Sequence, residues 1–132
     1  MAYPSNTSAE RLFTASTTQV VTLPPLVQND VVYLHISSDG SSSISSIVGD
    51  NANTWTLEGS EGSVAYVYSS PQGATPDTTV TVTFAATEKI HADIFVVKGA
   101  DTTTPTSAIA TTSVSSEYSV ACPTITPAAG EL

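Results

Sequence analysis

The sequence predicts an all-β fold, either a sandwich or a barrel, on three observations. Segments rich in β-branched and aromatic residues recur with turn signals roughly every eight to twelve residues, enough for about seven to nine short strands. No segment carries an apolar repeat of helical period. The run Thr79-Val80-Thr81-Val82-Thr83-Phe84 alternates strictly, Val80, Val82 and Phe84 one way and three threonines the other. That is the pattern of a strand with one dry face and one wet one.

The only tryptophan supplies the expected anchor of the core. Gly49-Asp50-Asn51-Ala52-Asn53 is a tight turn by composition, since Gly, Asp and Asn tolerate left-handed backbone angles and bond their own main chain. Trp55 and Leu57, set against Thr54, Thr56 and Glu58, then predict a strand with its indole face buried. A buried tryptophan removes about 200 Å² from water. Leu34, Val82, Phe84, Ile94 and Val96 are the expected companions of Trp55 in that core.

Taken in order, residues 1–11 form a polar arm with Pro4, and residues 12–132 a single β domain. Leu12 to Leu23 gives one or two short strands, stopped by Pro24-Pro25, which offer no ladder donor. Asn29-Asp30 turns the chain into Val31–Ser37, apolar on both faces except for His35 and therefore expected in the middle of a sheet. Ser38 to Ser46 is expected to be a long exposed loop pinned by Ile44, Ile47 and Val48. Gly59-Ser60-Glu61-Gly62 links the tryptophan strand to Ser63–Ser69 as a hairpin. Pro71 to Asp77 is a loop, Glu88-Lys89 a turn, and Ile90–Lys98 a second central strand. Gly99 to Pro105 reads as a loop, and Ser107 to Ala121 as one or two edge strands through Ile109, Val114, Tyr118 and Val120.

Composition narrows function more than any motif does. Among 132 residues there are 19 Ser and 21 Thr but only 11% charged residues, so the surface is hydroxyl-rich rather than ionic. Twelve acids against Arg11, Lys89 and Lys98 give a formal charge of −9, which opposes binding to nucleic acid or to an anionic membrane. Cys122 is the lone cysteine and is expected to be a small buried hydrophobe. Residues 1–7 show neither the basic region nor the apolar run of a secretory signal, and no stretch approaches the roughly 20 apolar residues of a membrane helix. The expected site of synthesis is therefore the cytosol, with release by another route or inside a particle.

Candidate chemistry is sparse. His35 and His91 lack the carboxylate motif of a zinc site, and Asp93, two residues from His91, has no nucleophile to serve. Asp39, Asp50, Asn51 and Asn53 offer oxygens for calcium without the spacing of an EF-hand loop. Neither a metal nor a cofactor is expected. Tyr66 and Tyr68 share a strand face. They either cover the core edge or, with Tyr118, stack on sugar rings while the Ser38–Ser46 loop donates hydrogen bonds.

The two ends of the body look alike. Residues 20–34, Val-Val-Thr-Leu-Pro-Pro-Leu-Val-Gln-Asn-Asp-Val-Val-Tyr-Leu, and residues 123–132, Pro-Thr-Ile-Thr-Pro-Ala-Ala-Gly-Glu-Leu, share a β-branched pair, a proline, a turn residue, an acid and an apolar residue. The second copy stops where its strand should begin. The expectation is a domain that continues past Leu132 or borrows its last strand from a neighbouring subunit.

Several segments, in order, resemble a loose group of β-sandwich modules found in bacteriophage virion proteins and bacterial surface proteins. They are Asn29-Asp30-Val31-Val32-Tyr33-Leu34, Ser37-Ser38-Asp39-Gly40, Asp50-Asn51-Ala52-Asn53-Thr54-Trp55-Thr56, Val80–Phe84 and Gly99-Ala100-Asp101-Thr102-Thr103-Thr104-Pro105. The likeness spans residues 20–130, and Asn53-Thr54-Trp55-Thr56 is its most specific part. Ala52 and Asn29 stand where such modules usually have glycine. The resemblance implies a two-sheet antiparallel sandwich, jelly-roll or immunoglobulin-like, with no catalytic residues. It also implies a non-enzymatic capsid decoration or cement protein, or a tail or head-fibre component, on the virion surface and made in the host cytoplasm. Its implied partners are the major capsid protein or another virion protein and further copies of itself, with host-surface glycans for the adhesive alternative.

Overall fold

The computed structural model describes residues 11–12, 14–40 and 42–98. The polar arm up to residue 10, the 99–105 loop, the edge strands expected over 107–121, Tyr118, Cys122 and the second repeat copy lie outside the described residues. The described residues form eight strands: β1 (Arg11–Leu12), β2 (Ser16–Thr22), β3 (Val31–Ser38), β4 (Ile44–Gly49), β5 (Thr56–Glu61), β6 (Ala65–Pro71), β7 (Thr79–Glu88) and β8 (Ile90–Val97). No helix occurs among the described residues, and hence none long and apolar enough to cross a membrane.

The strands form two sheets, so the fold is a sandwich rather than a barrel. One sheet has the order β1-β8-β3-β6-β5 and the other β2-β7-β4, with every pair antiparallel. Three pairs are concentric in sequence: β5 with β6, β4 with β7, and β3 with β8. Only the innermost is a hairpin within one sheet. Among the described residues the sandwich is thus built largely from strands distant in sequence and not from a row of neighbouring hairpins.

The core lies between the layers. Val21 and Leu23 around β2 and Val80, Val82 and Phe84 of β7 meet Val32, Leu34 and Ile36 of β3, Tyr66 and Tyr68 of β6, and Ile90, Ala92, Ile94 and Val96 of β8. Burying side chains of this size contributes about 1.5–3 kcal/mol each, which makes this interface the main source of stability.

Three expectations need correction. The loop expected over Ser38–Ser46 ends early: β4 begins at Ile44, because Ile44 and Ile47 turn inward and pack on the core while Val48 faces out. The hairpin turn falls at residues 62–64, where Gly62 takes φ 54°, and Gly59 to Glu61 belong to β5 with a bulge between Leu57 and Gly59. β3 and β8 are interior strands of the larger sheet, as expected. Tyr33, His35 and Ser37 of β3 and His91, Asp93 and Phe95 of β8 form the outer face of the larger sheet.

The third correction concerns the anchor. Trp55 lies in the loop before β5 and is half-buried, packed against the core and not among its fully buried residues. Leu57, expected inside, is 49% exposed on β5, an edge strand of the five-stranded sheet.

Candidate functional site

Buried carboxylates hold the loops, and sequence reasoning missed this. Asp30, Asp77 and Glu88 are 2%, 1% and 4% exposed, which a carboxylate tolerates only with donors in place. Asp30 accepts the Val27 N–H at 2.9 Å and the Lys98 ammonium at 3.1 Å, tying the turn before β3 to the end of β8. Asp77 accepts the Asn51 N–H at 2.8 Å and the Trp55 indole N–H at 3.1 Å, while its own N–H donates to Gln72 Oε1 at 2.8 Å. Glu88 accepts the Ser38 hydroxyl at 2.7 Å and the Ser42 N–H at 2.8 Å. The approach is so close that a Cβ at Gly49 would overlap the Asp77 carboxylate, and one at Gly40 that of Glu88. The only available signal was an acid adjoining a turn on the far side of the fold.

The acids and amides of the other loop residues also bond within the fold. Asp50 takes the N–H groups of Thr78 and Thr79 and the Thr78 hydroxyl, which holds its carboxyl below the usual carboxylate range; the hydroxyl bond is the largest cause. Asp39 accepts the Lys89 N–H at 3.1 Å. The amides of Asn51 and Asn53 donate to the carbonyls of Pro76 and Thr75. Among the described residues no group of three His, Cys, Asp or Glu is arranged to hold a metal.

Among the described residues, the outer face of the five-stranded sheet carries a cluster of titratable groups. The register sets His35 opposite Asp93, and His91 precedes Asp93 by two residues on the same face. Nδ1 of each imidazole stands 3.5 Å from Asp93 Oδ2. The cross-strand pairing brings His35 and His91 together around one carboxylate, a link that spacing along the chain does not reveal. At 3.5 Å these are ion-pair distances, longer than a hydrogen bond. Beside His35 lies a shallow cleft of about 190 Å³ floored by Gly59, Ala65 and Val67, too small for most ligands. Glu58, at the β5 rim, accepts the Ser69 hydroxyl.

The chain matches no known protein family, no curated protein and no solved structure.

The tyrosine platform is overturned by register. Tyr68 pairs with Leu34 and Tyr66 with Ile36, both inward residues of β3, so the two rings face the core. Their centroids are 6.5 Å apart at 27° and they are 8% and 6% exposed, which leaves no face for a sugar. Burial, with the neighbouring Tyr66 second, raises the Tyr68 phenol above its ordinary 10.0. The Tyr66 hydroxyl is buried with no hydrogen-bond partner. A wider cleft of about 380 Å³ lies among Leu23, Pro24, Pro25, Leu26 and Pro76, but its one carboxylate, Asp77, already has both oxygens occupied.

The outer face of the smaller sheet is uncharged in its two central rows. Thr18, Thr83 and Ser46 form one row across it, and Val20, Thr81 and Val48 the next. Val20 and Val48 are 54% and 56% exposed. In a chain of net charge −9, a strip of hydroxyls and methyls without a carboxylate is the surface best suited to lie against another protein.

Proposed function

We propose that this chain is a non-enzymatic structural protein of a bacteriophage virion, a decoration or cement protein that binds the outside of a capsid. The observation that carries the reading is the uncharged Thr/Val face of the β2-β7-β4 sheet, backed by loops tied down through buried acids. Three strands of this length present roughly 300–400 Å². That is about half of what one partner contributes to a stable protein interface. Such a contact is weak alone and sufficient when a capsid lattice presents many copies at fixed spacing. The partner is the major capsid protein, and neighbouring copies of the chain add contacts around each lattice position.

Immunogold electron microscopy of virions from the source, with antibody against this chain, tests the reading. Label spread over the head is the expected result; label confined to the tail moves the protein to a fibre. Unlabelled virions with the protein left in the soluble fraction overturn the proposal. A charge placed in the middle of the face, Thr81→Glu, is expected to lower occupancy on purified particles by at least about tenfold, since an unpaired buried charge costs more than 1.4 kcal/mol.

A further inference from the structure

The chain contains one aspartate followed by glycine, Asp39-Gly40, directly after β3. Such a pair can rearrange its own main chain without an enzyme. The Gly40 nitrogen loses its proton and bonds to Cγ of Asp39, a carboxyl oxygen leaves as water, and a five-membered succinimide closes. Water then adds to either ring carbonyl. Addition at the main-chain carbonyl opens the ring so that the chain runs through the side chain of Asp39, an isoaspartate of unchanged mass. Glycine favours the attack because it has no Cβ to crowd the nitrogen. The other five aspartates precede Val31, Asn51, Thr78, Ile94 and Thr102, four of them β-branched and stiff.

The fold holds both reacting groups. Asp39 exchanges two hydrogen bonds with Lys89: its N–H donates to the Lys89 carbonyl at 3.2 Å, and the Lys89 N–H donates to Asp39 Oδ1 at 3.1 Å. That fixes the carboxyl. The Gly40 N–H is fixed by Ser38, whose Oγ accepts it at 3.2 Å while donating to Glu88 Oε2 at 2.7 Å. Glu88 is 4% exposed, also accepts the Ser42 N–H, and lies so close to Gly40 that a Cβ there would overlap its carboxylate. A negative charge at that distance opposes the one that builds on the Gly40 nitrogen as its proton leaves.

We infer that Asp39 is the aspartate at which this chain isomerises, and that Ser38 and Glu88 hold the reaction back while the protein is folded. The product carries one extra main-chain carbon between the two Cα atoms, about 1.5 Å of added path. The bonds of Asp39 to Lys89 and of Gly40 to Ser38 are spaced for the shorter path, so isomerisation loosens the link between the end of β3 and the β7–β8 turn.

Peptide mapping of the full chain after prolonged storage tests this, with isoaspartate located by electron-transfer fragmentation and counted by methyl transfer from a protein isoaspartyl methyltransferase. The chain unfolded in urea is expected to gain isoaspartate of unchanged mass chiefly at Asp39. The folded chain should do so at least about tenfold more slowly, because local opening must first break the bonds at Asp39 and Gly40. Ser38→Ala is expected to speed the folded rate about two- to tenfold, the worth of one hydrogen bond, with β3 and β8 as protected from hydrogen exchange as before. Glu88→Gln, which keeps the shape and removes the charge, should act in the same direction. Asp39→Glu, which would need a six-membered ring, should abolish the product at this position in both states. Isoaspartate of unchanged mass formed mainly at another aspartate in urea overturns the site. Equal rates in the folded and unfolded chain, an unchanged rate in Ser38→Ala, or a rise there that comes with lost protection of β3 and β8 overturns the clamp.

Discussion

Replacing Ala52 with glycine is expected to stabilise this protein, although it deletes a methyl group and touches no core residue. Ala52 is exposed, its N–H donates to the Gly49 carbonyl at 3.2 Å, and its φ is 59°. A side chain in the left-handed region costs about 1–2 kcal/mol through the clash of Cβ with the following carbonyl. Glycine removes that cost but adds about 0.5–1 kcal/mol of unfolded-chain freedom. The net gain is about 0.5–1 kcal/mol. With an unfolding entropy near 2.1 cal/mol/K per residue, a chain of this length should gain roughly 2–4 °C in Tm. Calorimetry of Ala52→Gly beside Ala85→Gly measures it. Ala85 is exposed in β7 with no positive φ, so glycine there should cost about 0.5–1 kcal/mol. Equal destabilisation by the two substitutions would refute the backbone argument. Asn29, the other non-glycine residue with positive φ, at 68°, should change by less than about 0.5 kcal/mol as Asn29→Gly, because asparagine tolerates that region.

The polar network and the tyrosine pair give three more tests. Asp77→Asn turns an acceptor of the Asn51 and Trp55 N–H groups into a donor facing them; a loss of about 2–3 kcal/mol in urea unfolding and a red-shifted indole emission are expected. A loss under about 0.5 kcal/mol would mean that Asp77 does not hold the loop. Tyr66→Phe removes a buried hydroxyl without a partner and should raise stability by about 1 kcal/mol; a fall of that size would reveal a partner. Tyr68 has its phenol raised above the unfolded value of 10.0, so its contribution is complete below pH 10 and is lost as pH rises through the raised value. An alkaline titration at 295 nm should show a late phenolate that disappears in Tyr68→Phe, and an unchanged curve in that variant would contradict the burial.

How much of this was legible in the sequence depends on whether a residue's environment is set locally or across strands. β7 was legible because alternation is local: Val80, Val82 and Phe84 go inward whatever the partner strand. Tyr66 and Tyr68 shared a face by the same logic, but which face was decided by pairing with Ile36 and Leu34, information carried only by register. The apolar character of β3 and β8 predicted two central strands, which they are, but not that Phe95 is 45% exposed, because a sequence does not state how many layers lie above a sheet. The Trp55 error has the same origin. Its indole is held by Asp77, 22 residues on, and a hydrogen bond that joins two loops across the rim leaves no periodic trace.

The turns were the exception. Ala52 and Asn29, the two positions where the resembling modules usually have glycine, are the only described non-glycine residues with positive φ. The chain keeps the backbone of each turn while accepting strain in one of them, and each turn is clamped by a buried acid, Asp77 for the first and Asp30 for the second. Strain persists only where surrounding contacts over-determine the conformation. Asp30 and Asp77, which sequence reading left among the scattered surface acids, supply those contacts.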